Sequence, residues 1–208
     1  MCDQEELHRL WMSQKTIYQM MRDRGYVVGE GDLKATFDEF KKTYPTLSTT
    51  GSKHALSMLF QHGASQGVQM FVFYPDGAHF KSKDIKMYVA TLGKQNIQNG
   101  IIVCKEVLKS HSLKALDEAR REYNLELFYI KELMFNVTHH RDVPKHTLLR
   151  EEEKAALLKE RKISEHQLKK ILTSDPVTRY YAGKRGQVFR IERRSEISGI
   201  TVEYRIID

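Results

Sequence analysis

Apolar residues recur at steps of three and four through the start of the chain. Leu7, Leu10, Trp11, Ile17, Tyr18 and Met21 share one face of a predicted helix. Asp3 stands in cap position with Glu6 three residues on, and Gly25 in Asp23-Arg24-Gly25-Tyr26 ends the pattern. Trp11, lying on the apolar face, reads as core rather than as a ligand platform. A second helix is expected from an Asp32 cap, with Leu33, Thr36, Phe37 and Phe40 inward and Pro45 as its stop. Residues 46–53 are polar and show no period.

The pattern then alternates. Residues 55–60 and 69–74 read as strands joined by the turn-rich His62-Gly63-Ala64-Ser65-Gln66-Gly67. Met70-Phe71-Val72-Phe73-Tyr74 is apolar throughout, as suits a sheet covered on both faces. Ile85, Tyr88, Val89 and Leu92 mark a helix for which Ser82 is the expected cap. Asn99-Gly100 leads into a buried strand, Ile101-Ile102-Val103-Cys104. A helix beginning at Ser110 or Ser112 carries Leu113, Leu116, Ala119 and Tyr123, and residues 125–130 are a further strand. Strand, helix, strand, helix, strand implies a sheet with right-handed crossovers. Residues 1–135 are therefore expected to form one three-layer α/β domain.

A second, smaller α+β domain is expected over 136–208. Val143-Pro144 breaks the pattern. Residues 151–159 form a short helix whose first turn carries three acids, as the helix dipole favours. Ser164 and Glu165 start another short helix bearing Leu168, Ile171 and Leu172. Asp175-Pro176 opens a third, with the capping acid and the pre-set φ in place. Two strands close the chain, at 188–192 and 200–207, joined through Glu196-Ile197-Ser198-Gly199.

Composition adds little to this picture, but charge adds more. The 208 residues are 40% hydrophobic with four prolines, enough to bury a core without staples. Two cysteines, Cys2 and Cys104, are too few for a disulfide framework and point to a reducing, intracellular setting. The acidic, polar start is not a signal peptide, and no apolar run is long enough to span a bilayer. The formal net charge of +7 calls for an anionic partner, either nucleic acid or an acidic protein face. It is unevenly spread. Residues 1–144 hold 19 Lys or Arg against 17 Asp or Glu, whereas 145–208 hold 15 against 10.

The excess gathers near one stretch. Between Arg179 and Arg194 six basic residues stand against a single acid, Glu192. Asp175, Pro176, Arg179 and Tyr180 lead through a turn, Gly183-Lys184-Arg185-Gly186, to the strand that carries Arg190. A cationic tip held between two ordered elements suits docking on carboxylates or phosphates. Solvated lysines and arginines on a strand face are the plainer reading of the same residues.

Catalytic patterns are missing. The chain has no Walker loop, GxGxxG, Cys-x-x-Cys or nucleophile elbow. His139, His140 and His146 have no metal-ligand register. Pro75-Asp76 with Asp84-Ile85-Lys86 is a faint match to the PD-(D/E)xK signature of metal-dependent nucleases, but Asp84 falls at a helix start rather than on a strand. No helix-turn-helix, zinc-finger or homeodomain pattern supports sequence-specific DNA reading.

The chain resembles, over essentially its whole length, the fifth shared subunit of the eukaryotic nuclear RNA polymerases I, II and III. Its C-terminal part also resembles the H-type subunit of archaeal RNA polymerase. The likeness rests on Arg9-Leu10-Trp11, Thr16, Asp23-Arg24-Gly25-Tyr26-Val27 and Gln69-Met70-Phe71-Val72-Phe73 with Pro75. It is densest in Asn136-Val137-Thr138-His139-His140, Val143-Pro144-Lys145-His146, Asp175-Pro176-Val177, Lys184-Arg185-Gly186-Gln187-Val188, Ser195-Glu196 and Tyr204-Arg205.

The resemblance implies a non-catalytic, nuclear subunit of a multisubunit transcription enzyme, without a cofactor or membrane attachment. The catalytic magnesium would belong to the largest subunit. The N-terminal α/β domain would be a jaw beside downstream DNA, touching it without sequence preference. For that contact, Lys109, Ser110, His111 and Lys114 are the candidates, since a helix start offers unpaired N–H groups. The C-terminal assembly domain would bind the largest subunit and neighbour the small shared subunit number six. Transcription factors are further partners that the jaw would suit. Alternatives to this reading are a free-standing transcription adaptor and a metal-dependent nuclease on the α/β domain.

Two motifs depart from the family. Leu168-Lys169-Lys170-Ile171 replaces Leu-Pro-x-Ile, and Ser195-Glu196-Ile197-Ser198-Gly199-Ile200-Thr201 replaces Ser-Glu-Thr-x-Gly-Arg-Tyr. Such changes point to a divergent lineage or to a specialised copy serving one polymerase.

Overall fold

The structure is a computed structural model that describes residues 4–45, 47, 53–64, 67–76, 81–195 and 199–208. The chain divides into two units, Met1–Phe135 and Asn136–Asp208.

In the first unit, α1 (Gln4–Asp23) stops two residues before Gly25, with Tyr26 N–H donating to Met21 O at 2.9 Å. Its buried face holds Leu7, Leu10, Ile17, Met20 and Met21. Trp11 and Tyr18 are only half-buried. Trp11 packs its ring 5.6 Å from Phe37 and donates Nε1–H to Ala35 O at 3.3 Å, covering the next helices instead of entering the core. The expected Asp3 cap lies outside the described residues.

Where a single helix is expected after Asp32, two short ones form, α2 (Glu30–Lys34) and α3 (Phe37–Thr43). The break is at Thr36, which is a cap and not an inward apolar position. Its hydroxyl accepts from Glu39 N–H while Glu39 accepts from Thr36 N–H at 2.8 Å. That reciprocal pair outweighs helix continuation.

Four strands follow: β1 (Met58–Gln61), β2 (Gln69–Phe73), β3 (Asn99–Cys104) and β4 (Asn124–Tyr129). They lie in chain order, with β1 antiparallel to β2 and the remaining pairs parallel. The first strand is shorter than expected because 54–56 coil into a 3₁₀ turn. Two helices, α4 (Ser82–Gln95) and α5 (Ser110–Ala119), cross over the sheet. Phe73, Ile102, Cys104 and Leu125 face them and bury Ile85, Leu92 and Leu116. The opposite face meets α1, where Tyr74 OH lies 3.5 Å from Ser13 Oγ and Arg24 grips Glu126 on β4 with two bonds of 2.8 and 2.7 Å. These are the three layers, and they explain the unbroken apolar strands.

Two register details differ from expectation. Lys81, not Ser82, caps α4, its N–H donating to Asp84 at 2.8 Å. On α5 Ser112 is buried and Leu113 is exposed, while Leu116 and Ala119, and Tyr123 beyond the helix end, pack inward as expected.

The second unit carries a sheet of order β5-β7-β8-β6, built from β5 (Lys145–Leu148), β6 (Lys169–Ile171), β7 (Val188–Ser195) and β8 (Gly199–Ile207). The β7–β8 hairpin is its spine, with β5 antiparallel to β7 and β6 parallel to β8. Neither short edge strand is legible from pattern. The helix expected after Ser164 is only a 3₁₀ turn at 165–167 running into β6, because Leu168 and Ile171 are claimed by sheet packing. Helix α6 (Glu151–Arg161) covers one sheet face through Leu157, Leu158, Val188, Tyr204 and Ile206. On the other face Phe189, Ile191 and Ile207 pack with Ile171. The expected 196–199 connection lies largely outside the described residues.

Candidate functional site

The cationic turn of the second unit is held from several sides. Asp175 caps α7 (Pro176–Tyr180), accepting from Val177 N–H at 2.9 Å with Pro176 in the first turn. The chain leaves that helix through Ala182 at φ 52 and a Gly183 N–H to Thr178 O bond of 2.9 Å. At Gly183 a Cβ would stand 2.6 Å from Ile207 Cδ1, so any larger residue there would make the Ile207 side chain shift. Gly186, at φ +88, is required by backbone conformation, and its N–H donates to Ile207 O at 2.9 Å. Gln187 closes the turn by accepting from Lys184 N–H at 2.7 Å.

Three polar groups hold this turn or the helix that leads into it. Lys154 on α6 is nearly buried, and its ammonium donates to Gly186 O at 2.8 Å while pairing with Glu165 at 2.9 Å. Asp208 takes Arg185 on one oxygen and Lys170 on the other, each at 2.6 Å. Hydrogen bonds from Lys170 and then Arg185 hold its carboxyl below the usual range. Asn136 donates to Tyr180 OH at 3.0 Å and accepts from Thr138 N–H at 2.9 Å.

The nine docking residues therefore divide. Asp175, Pro176, Gly183 and Gly186 shape the backbone. Tyr180 is 3% exposed, so its ring supports the surface from beneath and does not form it. Arg179 is half-buried. Lys184, Arg185 and Arg190 face solvent. Arg185 is shared with Asp208, and Arg190 lies 3.2 Å from Glu192. Lys184 Nζ meets no acceptor among the described residues, so its charge is fully available to a partner. Lys154, Asn136 and Asp208 are the positioning residues that sequence reasoning missed. Asn136 stands in a motif quoted for the resemblance, but nothing local in the sequence marks the other two.

In the first unit Lys109, Ser110, His111 and Lys114 come together, all exposed, at the start of α5. Lys109 O accepts from Ser112 N–H at 2.9 Å and Leu113 N–H at 3.0 Å. The Ser110 and His111 N–H groups point outward with no acceptor among the described residues.

The carboxylates of the nuclease-like signature are engaged elsewhere. Asp76 accepts from Lys53 N–H and pairs with His54 at 3.3 Å, and Asp84 is the α4 cap acid. The three histidines do not converge. His139 and His140 are exposed, whereas His146 bonds Pro144 O at 2.7 Å beside the Phe189 ring. Burial, ahead of the neighbouring charges, pushes the His146 pKa down. Among the described residues no three His, Cys, Asp or Glu side chains form a metal-holding set. A cavity of about 940 Å³ beyond the ends of β3 and β4 is rimmed by charges that hold one another, with Glu5 on Arg9 and Glu6 on Lys105. Cys104 is buried, which raises its thiol to about 12 and leaves it inert.

Residues 4–92 match the family model described as "RNA polymerase Rpb5, N-terminal domain" and residues 135–207 match "RNA polymerase Rpb5, C-terminal domain". The "DNA-directed RNA polymerases I, II, and III subunit RPABC1" of Caenorhabditis elegans is 37% identical over 207 residues, covering 99% of this chain and 98% of the relative. The Dictyostelium discoideum protein of the same description is 36% identical, covering 97% and 98%. The "DNA-directed RNA polymerase subunit 5-like protein 1" of Arabidopsis thaliana is 32% identical, covering 97% and 96%.

Proposed function

This chain belongs to the RNA polymerase Rpb5 family, and from that premise we propose how its two units serve the enzyme. It is a non-catalytic subunit of a DNA-directed RNA polymerase, of the kind shared among polymerases I, II and III. It works in the nucleus. The unit at 136–208 is the assembly domain and docks on the largest subunit, beside the small shared subunit number six. The unit at 1–135 is the jaw, set near downstream DNA.

The observation that carries the docking assignment is the construction of the Lys184–Arg185 tip. A turn fastened by Gly186 to Ile207, by Lys154 and by Asp208 pays its ordering entropy on folding, so binding does not. Its outermost cation, Lys184, has no internal partner among the described residues. The test is incorporation of a tagged chain into polymerase-sized complexes in gentle cell extract. Lys184→Glu with Arg185→Glu is expected to shift the protein out of the fraction holding the two largest subunits. Undiminished incorporation of that double variant would remove the assignment.

The exposed N–H groups, Lys109 and Lys114 at the α5 start support phosphate contact by the jaw. Replacing both lysines by Gln is expected to weaken polymerase–DNA complexes regardless of sequence and to flatten their salt dependence. An unchanged salt profile would refute the contact.

A further inference from the structure

A second cationic surface lies at the far end of β7 from the Lys184–Arg185 turn, roughly 20 Å away along the strand. Pro144 ends the β5 ladder at the Lys145–Glu192 pair, while β7 runs on to Ser195 paired only with β8. The chain before Pro144 turns away, closed by Val143 N–H on His140 O at 3.0 Å. A slot of about 570 Å³ opens between them, lined by Arg141, Val143, Pro144, Lys145, Arg194 and Ile200. Along it, the β7 backbone at 193–195 has no strand partner on the β5 side among the described residues.

Cations outnumber acids in the slot, four to two. Arg141, Lys145, Arg193 and Arg194 hold no carboxylate or carbonyl among the described residues. Of the two acids that line the slot, Glu192 is turned to Arg190 at 3.2 Å, and Asp142 lies beside the His140 ring, donating its N–H to Nδ1 at 3.3 Å. Directly across the hairpin from Arg194 stands Ile200, 67% exposed.

We propose that this slot accepts a short, extended, acidic segment of a partner protein, which adds as a strand to β7 at 193–195 where β5 leaves off. Three features fit that occupant together. The unpaired sheet edge supplies main-chain bonds. Arg193 and Arg194 project from opposite faces of β7 and, with Arg141 and Lys145, offer cations to carboxylates on either side of the added strand. Ile200, on the same sheet face as Arg194, offers with Val143 a contact to an aliphatic side chain on the segment for which a nucleic acid has no counterpart. The surface stands whether or not the Lys184–Arg185 turn docks on a larger subunit.

The full chain and a fluorescent extended peptide of about eight residues built of Asp and Val, with both residue types on each face, test the proposal by anisotropy. Binding is expected to saturate, to weaken at least about tenfold in Arg141→Glu with Arg194→Glu, and to be lost when the peptide backbone is N-methylated. Lys184→Glu should leave it unchanged, which separates this surface from the docking turn. Ile200→Ser, which leaves every charge in place, should weaken it measurably. Equal binding of a Lys–Val peptide, or insensitivity to the charge reversals, overturns the proposal. So does equal or tighter binding of an oligothymidylate of matched charge, which would make the slot a polyanion surface.

Discussion

The two units solve the same problem by different means. In the first, a sheet of mostly parallel strands is sandwiched between α1 and the α4–α5 pair, and a continuous core runs through Ile102, Leu92 and Leu116. The second is smaller, and on each side of its sheet only a few side chains are fully buried. A core that small leaves little margin. What completes it is a set of polar pins: Lys154 on the Gly186 carbonyl, Asn136 on Tyr180, and Asp208 on Arg185 and Lys170. Burial organises the first unit, and directed hydrogen bonds organise the second. The Lys184–Arg185 surface lies among those bonds, which hold backbone where an apolar core would give no cation a fixed position.

That contrast can be broken by substitution. Ile102→Ala, in the middle of the first core, is expected to cost about 2–5 kcal/mol in urea unfolding. Hydrogen exchange should place the loss in β2, β3 and β4 and leave the amides of β7 protected. Loss of protection in both units would show that they share one cooperative core. Lys154→Met keeps the apolar stem but strips the Gly186 carbonyl of its donor, with an expected cost of about 1–3 kcal/mol. Faster exchange should follow at 184–187. A neutral result would mean that apolar packing, not the pin, holds the turn.

The smallest effect sharpens the comparison through pH. His146 has its pKa lowered in the folded chain, chiefly by burial, so its neutral form is favoured there. The stability it contributes is full above the unfolded value of about 6.5 and is lost as pH falls through the folded value. Stability of the second unit should therefore decline from pH 7 to pH 5 by less than the Lys154→Met cost. His146→Gln should flatten that decline. An unaltered slope would assign it to other groups.

Legibility follows the same division. The parallel strands can be read because burial on both faces leaves runs such as Ile101-Ile102-Val103-Cys104, and the α7 cap because Asp175-Pro176 satisfies its requirements locally. Leu113 reads as inward from periodicity but is exposed, while its neighbour Ser112 is buried. β5 and β6 escape a sequence reading because four and three residues are too short for a period, and their strand state is created by β7 and β8. Of the docking residues, the glycine-flanked cations are visible in sequence. That Tyr180 is buried and Arg185 shared with Asp208 is not, since both follow from neighbours far away in the chain.

By itself, then, the amino-acid order determined the family, the α/β character of the first unit and the cationic bias of the second, because these rest on motifs, periodicity and composition that need no partner. Only the tertiary structure decided which cations are paired internally and which remain available. It also decided that β7 outruns β5 to leave a charged slot. The reason is physical: an ion pair or an unpaired strand edge is a relation between distant segments, and its existence depends on where the fold places the other half.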